Sequence, residues 1–159
     1  MSDSNLIAES AGAAGATARY SIGIDLGTTH CALSYVDRSA SDGDTVAQGV
    51  LDIPQLTGPA SVDAKPLLPS FLYLPHESEL TPADMALPWG AADGYVVGEF
   101  ARSRGAATPI RLVSSAKSWL CHPGVDRRAP LLPADAPAEV ARVSPLTASI
   151  RYLSHLRWA

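Results

Sequence analysis

The clearest pattern of apolar and polar positions lies between Tyr20 and Leu26, where the string YSIGIDL alternates strictly. A period of two is typical of a β-strand with one buried face. Residues 27–29, Gly-Thr-Thr, have the composition of a turn, and residues 31–36 form a second β-prone run. The pattern therefore predicts a β-hairpin with a Gly-Thr-Thr tip.

After the hairpin, the pattern predicts two more strands separated by a loop. Residues 46–53 form a β-prone run, which predicts a third strand. Residues 54–66 contain three prolines and a glycine, which favours a loop over a sheet element. Residues 67–74 predict a short apolar strand entered through Pro69, and residues 76–93 show little periodicity and are expected to be irregular.

The second half of the chain is richer in helical patterns. Residues 94–99 predict a short strand, and residues 100–107 predict a helix. Residues 109–120 fit one amphipathic helix, with Lys117 on or near its polar side. Residues 139–143 are expected to form a last short strand.

The final helix has a distinct start signal. Ser144 is an N-cap serine, and Pro145 follows it at the first helical position. Four apolar residues then recur at helical spacing: Leu146, Ile150, Leu153 and Leu156. This stripe has to be buried, so we expect exposed apolar surface and a tendency to associate where nothing covers it.

Composition and charge exclude several kinds of partner. The chain has 159 residues, with 12 Lys+Arg against 16 Asp+Glu and a net charge of −4. No basic cluster supports nucleic-acid binding, and no apolar run is long enough to span a membrane. Residues 1–18 lack the features of a targeting signal. We therefore predict a flexible tail at residues 1–18, one domain at residues 19–159 and a cytoplasmic protein.

Two cysteines, each next to a histidine, raise the question of a metal site. His30 precedes Cys31, and His122 follows Cys121. Neighbouring residues on a strand point to opposite faces, so neither pair is well placed to chelate a metal. We expect ordinary buried or half-buried thiols in a reducing compartment.

The hairpin tip also carries groups suited to phosphate chemistry. Gly27, Thr28 and Thr29 offer backbone N–H groups and two hydroxyls to an anion, and Asp25 can hold a hydrated Mg²⁺ beside it. The same residues fit a plain hairpin, in which the glycine supplies a turn conformation and the threonines are ordinary β-formers.

The whole string IGIDLGTTHCALSYVD closely resembles the first phosphate loop of the actin-like ATPases, a superfamily of heat-shock chaperones, sugar kinases and actins. It is most similar to the version in the DnaK-type 70-kDa heat-shock chaperones. Three later pairs are similar to that family as well: Pro69-Ser70, Val97-Gly98 and Ala116-Lys117. The resemblance implies an α/β fold of ribonuclease-H-like type, with a mixed sheet opened by the antiparallel hairpin. It covers residues 19–159 but only the first, incomplete portion of the nucleotide-binding domain.

The resemblance assigns roles to the residues of the hairpin tip. Asp25 is similar to the catalytic-site carboxylate that binds Mg²⁺ through water. Gly27, Thr28 and Thr29 are similar to the cradle for the β- and γ-phosphates of ATP. His30 is expected to join this cradle through its backbone only.

A second catalytic residue is implied further along the chain. Lys117 resembles the lysine that positions the attacking water and offsets the charge growing on the γ-phosphate. The family usually follows this lysine with an arginine, where the present chain has Ser118.

The function implied is that of an ATP-binding, chaperone-like ATPase. Its cofactors are ATP or ADP with Mg²⁺, and its partners in an intact protein are unfolded peptide clients and co-chaperones, with neither nucleic acid nor membrane. The sequence contains no second phosphate loop of Asp-x-Gly-Gly-Gly type, and neither an adenosine pocket nor a substrate domain can be identified. We therefore expect the chain alone neither to bind ATP tightly nor to hydrolyse it. Alternative hypotheses are a sugar-kinase-type member of the superfamily and a non-catalytic, truncated interaction module.

Overall fold

The computed structural model describes residues 18–90 and 94–159. The tail predicted at residues 1–18 lies outside these ranges, apart from its last residue. In chain order, the strands of the described part are β1 (Tyr20–Leu26), β2 (His30–Asp37), β3 (Gln48–Val50), β4 (Ile53–Gly58), β5 (Ser61–Lys65), β6 (Leu68–Pro69), β7 (Phe71–Tyr73), β8 (Val96–Val97) and β9 (Leu112–Ser114). The helices are α1 (Glu99–Ala107), α2 (Ala116–Leu120) and α3 (Pro145–Trp158), with a 3₁₀ turn at Pro109–Arg111.

The predicted opening hairpin is confirmed. β1 and β2 pair in antiparallel register, from Tyr20 opposite Asp37 to Leu26 opposite Cys31. The guanidinium of Arg19 donates to the Asp37 carboxylate at 2.9 Å and closes the open end of the hairpin. The expected buried face of β1 is not found, because Tyr20, Ile22 and Ile24 are all exposed. The short turn sets this register, since loop length and turn type fix the pairing of a hairpin.

Every strand pair within the described ranges is antiparallel. β2 is the central strand of the first sheet, since it pairs with β1, β3 and β6. β7 lies between β8 and β9 in a second sheet, and β4 and β5 form a separate hairpin. The protein is therefore α/β with small, separate antiparallel sheets, and the predicted mixed sheet is not seen in this part of the chain.

The prediction of a loop at residues 54–66 is wrong, because this segment forms the β4–β5 hairpin. The predicted third strand at residues 46–53 is shorter, and its last residue already belongs to β4. Every second N–H of a strand in a two-stranded hairpin faces away from its partner, so a proline such as Pro54 is tolerated there. Pro59 lies in the connecting turn, next to Ala60 with a φ of 52°.

The strand predicted at residues 67–74 is divided by Ser70. β6 pairs with β2 in the first sheet, whereas β7 belongs to the second sheet. The chain therefore crosses from one sheet to the other at this serine. The predicted strand at residues 94–99 is confirmed in the shorter form of β8, and the predicted helix at residues 100–107 is confirmed as α1.

The prediction of one continuous helix at residues 109–120 is wrong. The segment contains a 3₁₀ turn, the strand β9 and the short helix α2. β9 pairs with β7, which places Val113 opposite Leu72 and buries it in the sheet. Ser115 has a φ of 53°, a left-handed conformation that prevents a helix from running through it.

Two weaker predictions have mixed outcomes. Of the segment predicted to be irregular at residues 76–93, residues 76–90 contain turns and one isolated bridge but no helix or strand. Residues 91–93 lie outside the described residues. The strand predicted at residues 139–143 is reduced to a single bridge between Val143 and Leu132.

The start of α3 is confirmed, but only part of its predicted apolar stripe is buried: Leu156 is buried and Leu146 is half-buried. The Ser144 hydroxyl accepts a hydrogen bond from the Thr147 N–H at 2.9 Å, with proline at the first helical position. Ile150 and Leu153, both in the predicted stripe, are 51% and 38% exposed. The buried face is rotated by about one residue, or about 100°, and consists of Pro145, Ala148, Ser149, Tyr152, His155 and Leu156. None of the described helices is both long enough and apolar enough to cross a membrane.

The core forms on both faces of the sheet built from β7, β8 and β9. Leu72 of β7 contributes to a larger cluster, together with Cys31 of β2 and Tyr152 of α3. The next residue, Tyr73, points to the opposite face and joins a second cluster with Phe100 of α1. Because alternate residues face opposite sides of a strand, this short sheet holds the two clusters together.

Candidate functional site

Gly27, Thr28 and Thr29 connect β1 to β2 and form the tip of the opening hairpin. A Cβ atom at Gly27 would lie 2.0 Å from the carbonyl oxygen of His30. The glycine is therefore required by this close approach and not by a left-handed φ, since Gly27 is not among the positive-φ residues.

Thr28 and Thr29 are exposed at this tip, and their N–H and O–H groups have no acceptor among the described residues. Neither their backbone N–H groups nor their hydroxyls donate to any residue in the described ranges. The tip therefore presents two N–H groups and two hydroxyls to the solvent side, an arrangement that suits an anion.

Ser70 and Cys31 lie beneath the tip. The Ser70 hydroxyl donates to the Gly27 carbonyl at 2.8 Å, and the Ser70 backbone N–H donates to the Thr29 carbonyl at 2.8 Å. The Cys31 thiol lies 3.3 Å from the Ser70 hydroxyl oxygen and is fully buried. The tip is thus attached to the junction between β6 and β7.

Asp25 and Lys117 come from different elements, β1 and α2, and both are exposed. Burial raises the pKa of the Cys31 thiol, and hydrogen bonds with Ser70 and the Gly27 backbone offset this only in part. The Asp25 carboxylate raises the pKa slightly further, and the Lys117 ammonium lowers it slightly. Both charges therefore lie close enough to Cys31 to act on the same thiol. They form no ion pair with each other.

His30 begins β2 directly after the tip, opposite Pro69 of β6. Its backbone therefore borders the tip, where the sequence predicted a backbone contact. The described residues contain no group of three or more His, Cys, Asp or Glu side chains that could hold a metal ion. Cys31 is buried as expected, but Cys121 is exposed, contrary to the prediction.

Two cavities lie away from the hairpin tip. One, of about 300 Å³, lies between the irregular segment and α3 and is lined by Trp89 and His155, among others. The other, of about 400 Å³, lies beside β9 and is lined by Trp119. Neither is lined by Gly27, Thr28 or Thr29, and both threonines are exposed at the tip.

Sequence reasoning missed the role of Ser70 at this site. The sequence places Ser70 within the strand predicted at residues 67–74, whereas in the structure it is the residue that contacts the tip. The only local signal was a small polar residue within the apolar run PLLPSFLYLP. Its partners lie about forty positions earlier in the chain, and no local pattern reports such a contact.

No protein-family model matches the chain, and neither the curated proteins nor the solved structures yielded a match.

Proposed function

We propose that the chain supplies the first phosphate-binding loop of an ATP-binding, chaperone-like ATPase, on a lobe of ribonuclease-H-like type. The observation that carries the proposal is the hairpin tip, where Thr28 and Thr29 hold unused N–H and hydroxyl donors next to a sterically required Gly27. A phosphate group offers several acceptor oxygens, and backbone N–H groups at such a turn can bind them.

The residues around the tip fit the two groups that this function requires. Phosphate oxygens suit the donors of Thr28 and Thr29, both of which are exposed at the tip. Mg²⁺ keeps most of its waters and needs only one or two carboxylates besides the phosphates, so the exposed Asp25 suffices. When bound, Mg²⁺ would neutralise phosphate charge, and the exposed Lys117 ammonium would add a second positive charge.

The proposal includes weak binding by this chain alone. The sequence lacks a second Asp-x-Gly-Gly-Gly loop, so only one side of a polyphosphate is contacted. Phosphoryl transfer depends on positioning the nucleotide from several sides, and one loop does not achieve this. Hydrolysis of ATP and an action on unfolded peptide clients in the cytoplasm are proposals for an intact protein.

The test is a titration of the ¹⁵N-labelled chain with sodium triphosphate and Mg²⁺, followed by NMR. We expect the amide signals of Thr28 and Thr29 to shift with a Kd in the millimolar range. Gly27→Ala should abolish these shifts, because its Cβ cannot fit against His30. Gly43→Ala is the matched control, since nothing lies within 4 Å of the added Cβ.

Two results would contradict the proposal in different ways. If the Thr28 and Thr29 signals do not move, the tip is not a phosphate site. A micromolar Kd for Mg-ATP would instead refute the expectation that this chain binds nucleotide only weakly.

A further inference from the structure

Ser70 holds the hairpin tip through two different groups. Its side-chain hydroxyl donates to the Gly27 carbonyl, and its backbone N–H donates to the Thr29 carbonyl, both at 2.8 Å. The two acceptors therefore belong to Gly27 and Thr29, the residues before and after Thr28. Ser70 is only 2% exposed, so water has little access to compete for these bonds.

This attachment determines the direction of one N–H group. In a trans peptide the C=O and the N–H point in opposite directions, and the Gly27–Thr28 peptide is not among the cis bonds. Because the Gly27 carbonyl points towards Ser70, the N–H of Thr28 points away from it, to the open side of the tip.

The Cys31 thiol completes a chain of hydrogen bonds in a defined direction. The Ser70 hydroxyl has one hydrogen, and it donates this to the Gly27 carbonyl, which can only accept. The thiol at 3.3 Å must therefore donate its S–H to the Ser70 oxygen. A hydroxyl that accepts one hydrogen bond becomes a better donor in the next.

We propose that Ser70 is the positioning residue of the hairpin tip and fixes the Thr28 N–H in the orientation that receives an anion. Cys31 supports Ser70 from below by donating to its oxygen. The consequence for phosphate affinity rests on the proposed function, whereas the fixed orientation of the tip does not.

The first experiment needs no substitution. A long-range HNCO spectrum of the folded chain should show a coupling across the hydrogen bond from the Ser70 N–H to the Thr29 carbonyl. The Thr28 amide should have an order parameter of about 0.85, as in rigid backbone. A missing coupling, or a Thr28 order parameter below about 0.6, overturns the proposal.

The second experiment removes only the hydroxyl. In Ser70→Ala we expect the Gly27 carbonyl carbon signal to move and the order parameter of Thr28 to fall. Ser149→Ala is the matched control, because Ser149 is an equally buried serine whose hydroxyl donates to the Pro145 carbonyl at 2.9 Å within α3. It should leave the tip unchanged. A Ser70→Ala tip as rigid as that of the wild type overturns the proposal.

The third experiment separates this inference from the proposed function. Loss of one hydrogen bond to the tip should weaken triphosphate binding in Ser70→Ala about 3- to 10-fold, and Ser149→Ala should bind like the wild type. Equal affinity of Ser70→Ala and the wild type refutes the positioning role. If the wild type binds no triphosphate, the proposed function fails, and the order parameters of Thr28 still decide the role of Ser70.

Discussion

The Tyr73 hydroxyl donates a 2.8 Å hydrogen bond to the Glu79 carboxylate. The same carboxylate accepts from the Arg104 guanidinium at 2.7 Å and from the backbone N–H of His76 at 3.2 Å. Glu79 therefore connects β7, the irregular segment that follows it and α1. Since residues 76–90 form no regular element, this carboxylate is one of the contacts that hold the segment against the second core cluster.

We predict that Glu79→Gln lowers the free energy of unfolding by about 1–3 kcal/mol, because hydrogen bonds to a charged acceptor are lost in a partly buried site. Burial raises the pKa of Glu79, but hydrogen bonds from Tyr73, His76 and Arg104 outweigh it and hold the pKa below its ordinary value of 4.5. The stabilisation is therefore present above about pH 4.5 and is lost as the pH falls.

Urea denaturation at pH 7 and pH 4 would measure this effect. Glu99→Gln is the control, because Glu99 pairs with the exposed Arg102 three residues along α1. An exposed pair of this kind contributes about 0–1 kcal/mol. Equal losses in the two variants would show that the Glu79 cluster has no special role.

The second prediction concerns His155. Its Nε2–H donates to the Pro54 carbonyl at 2.9 Å, since that carbonyl can only accept, and the ring meets Trp89 edge to face. Burial lowers the pKa of His155, and the hydrogen bond to Pro54 offsets this only in part. The unfolded chain therefore binds a proton more readily than the folded chain, so we expect the free energy of unfolding to fall as the pH drops below about 6.5.

Thermal melts between pH 7.5 and pH 5 would test this prediction. His155→Gln should reduce the dependence on pH across this range, because the amide does not titrate. His122→Gln is the control, since His122 is exposed. If His155→Gln retains the full slope of the wild type, another group is responsible for it.

The third prediction concerns the N-cap of α3. Ser144→Ala removes the acceptor of the Thr147 N–H, so we expect the protein to lose about 0.5–2 kcal/mol of stability. Ser154→Ala, in the middle of the same helix, should change stability by less than about 0.5 kcal/mol. Chemical denaturation measures the free energy of unfolding of both variants. Equal values for Ser144→Ala and Ser154→Ala would contradict the prediction.

The fourth prediction concerns the exposed apolar side of α3. Ile150 and Leu153 lie on the solvent side of the helix, so we expect the chain to self-associate as its concentration rises. The double variant Ile150→Gln, Leu153→Gln should shift this association to higher concentration, whereas Val46→Gln, at an exposed position outside the strands, should not. Sedimentation velocity provides the measurement, and a wild type that stays monomeric at all concentrations refutes the prediction.

The elements predicted correctly are those whose signals are local. The alternation from Tyr20 to Leu26 and the glycine after it specify a hairpin, because strand period and turn chemistry are properties of neighbouring residues. The cap at Ser144 is equally local, since its partner Thr147 is three residues away. The donors of the proposed phosphate loop also lie in one short string, although its role as a phosphate site stays a prediction.

The sequence by itself thus determined the opening hairpin, the residues of its tip and the start of α3. Only the tertiary structure decided that residues 112–114 form a strand, because their pairing with β7 outweighs a helical period. It also decided which face of α3 is buried, since the small side chains Ala148 and Ser149 allow the helix to approach the core closely. Ser70 acquires its contacts with Gly27 and Thr29 in the same way. All three features depend on contacts between residues that are far apart in the sequence. The free energy gained from burial and strand pairing in these contacts outweighs the local helix and strand propensities of the residues.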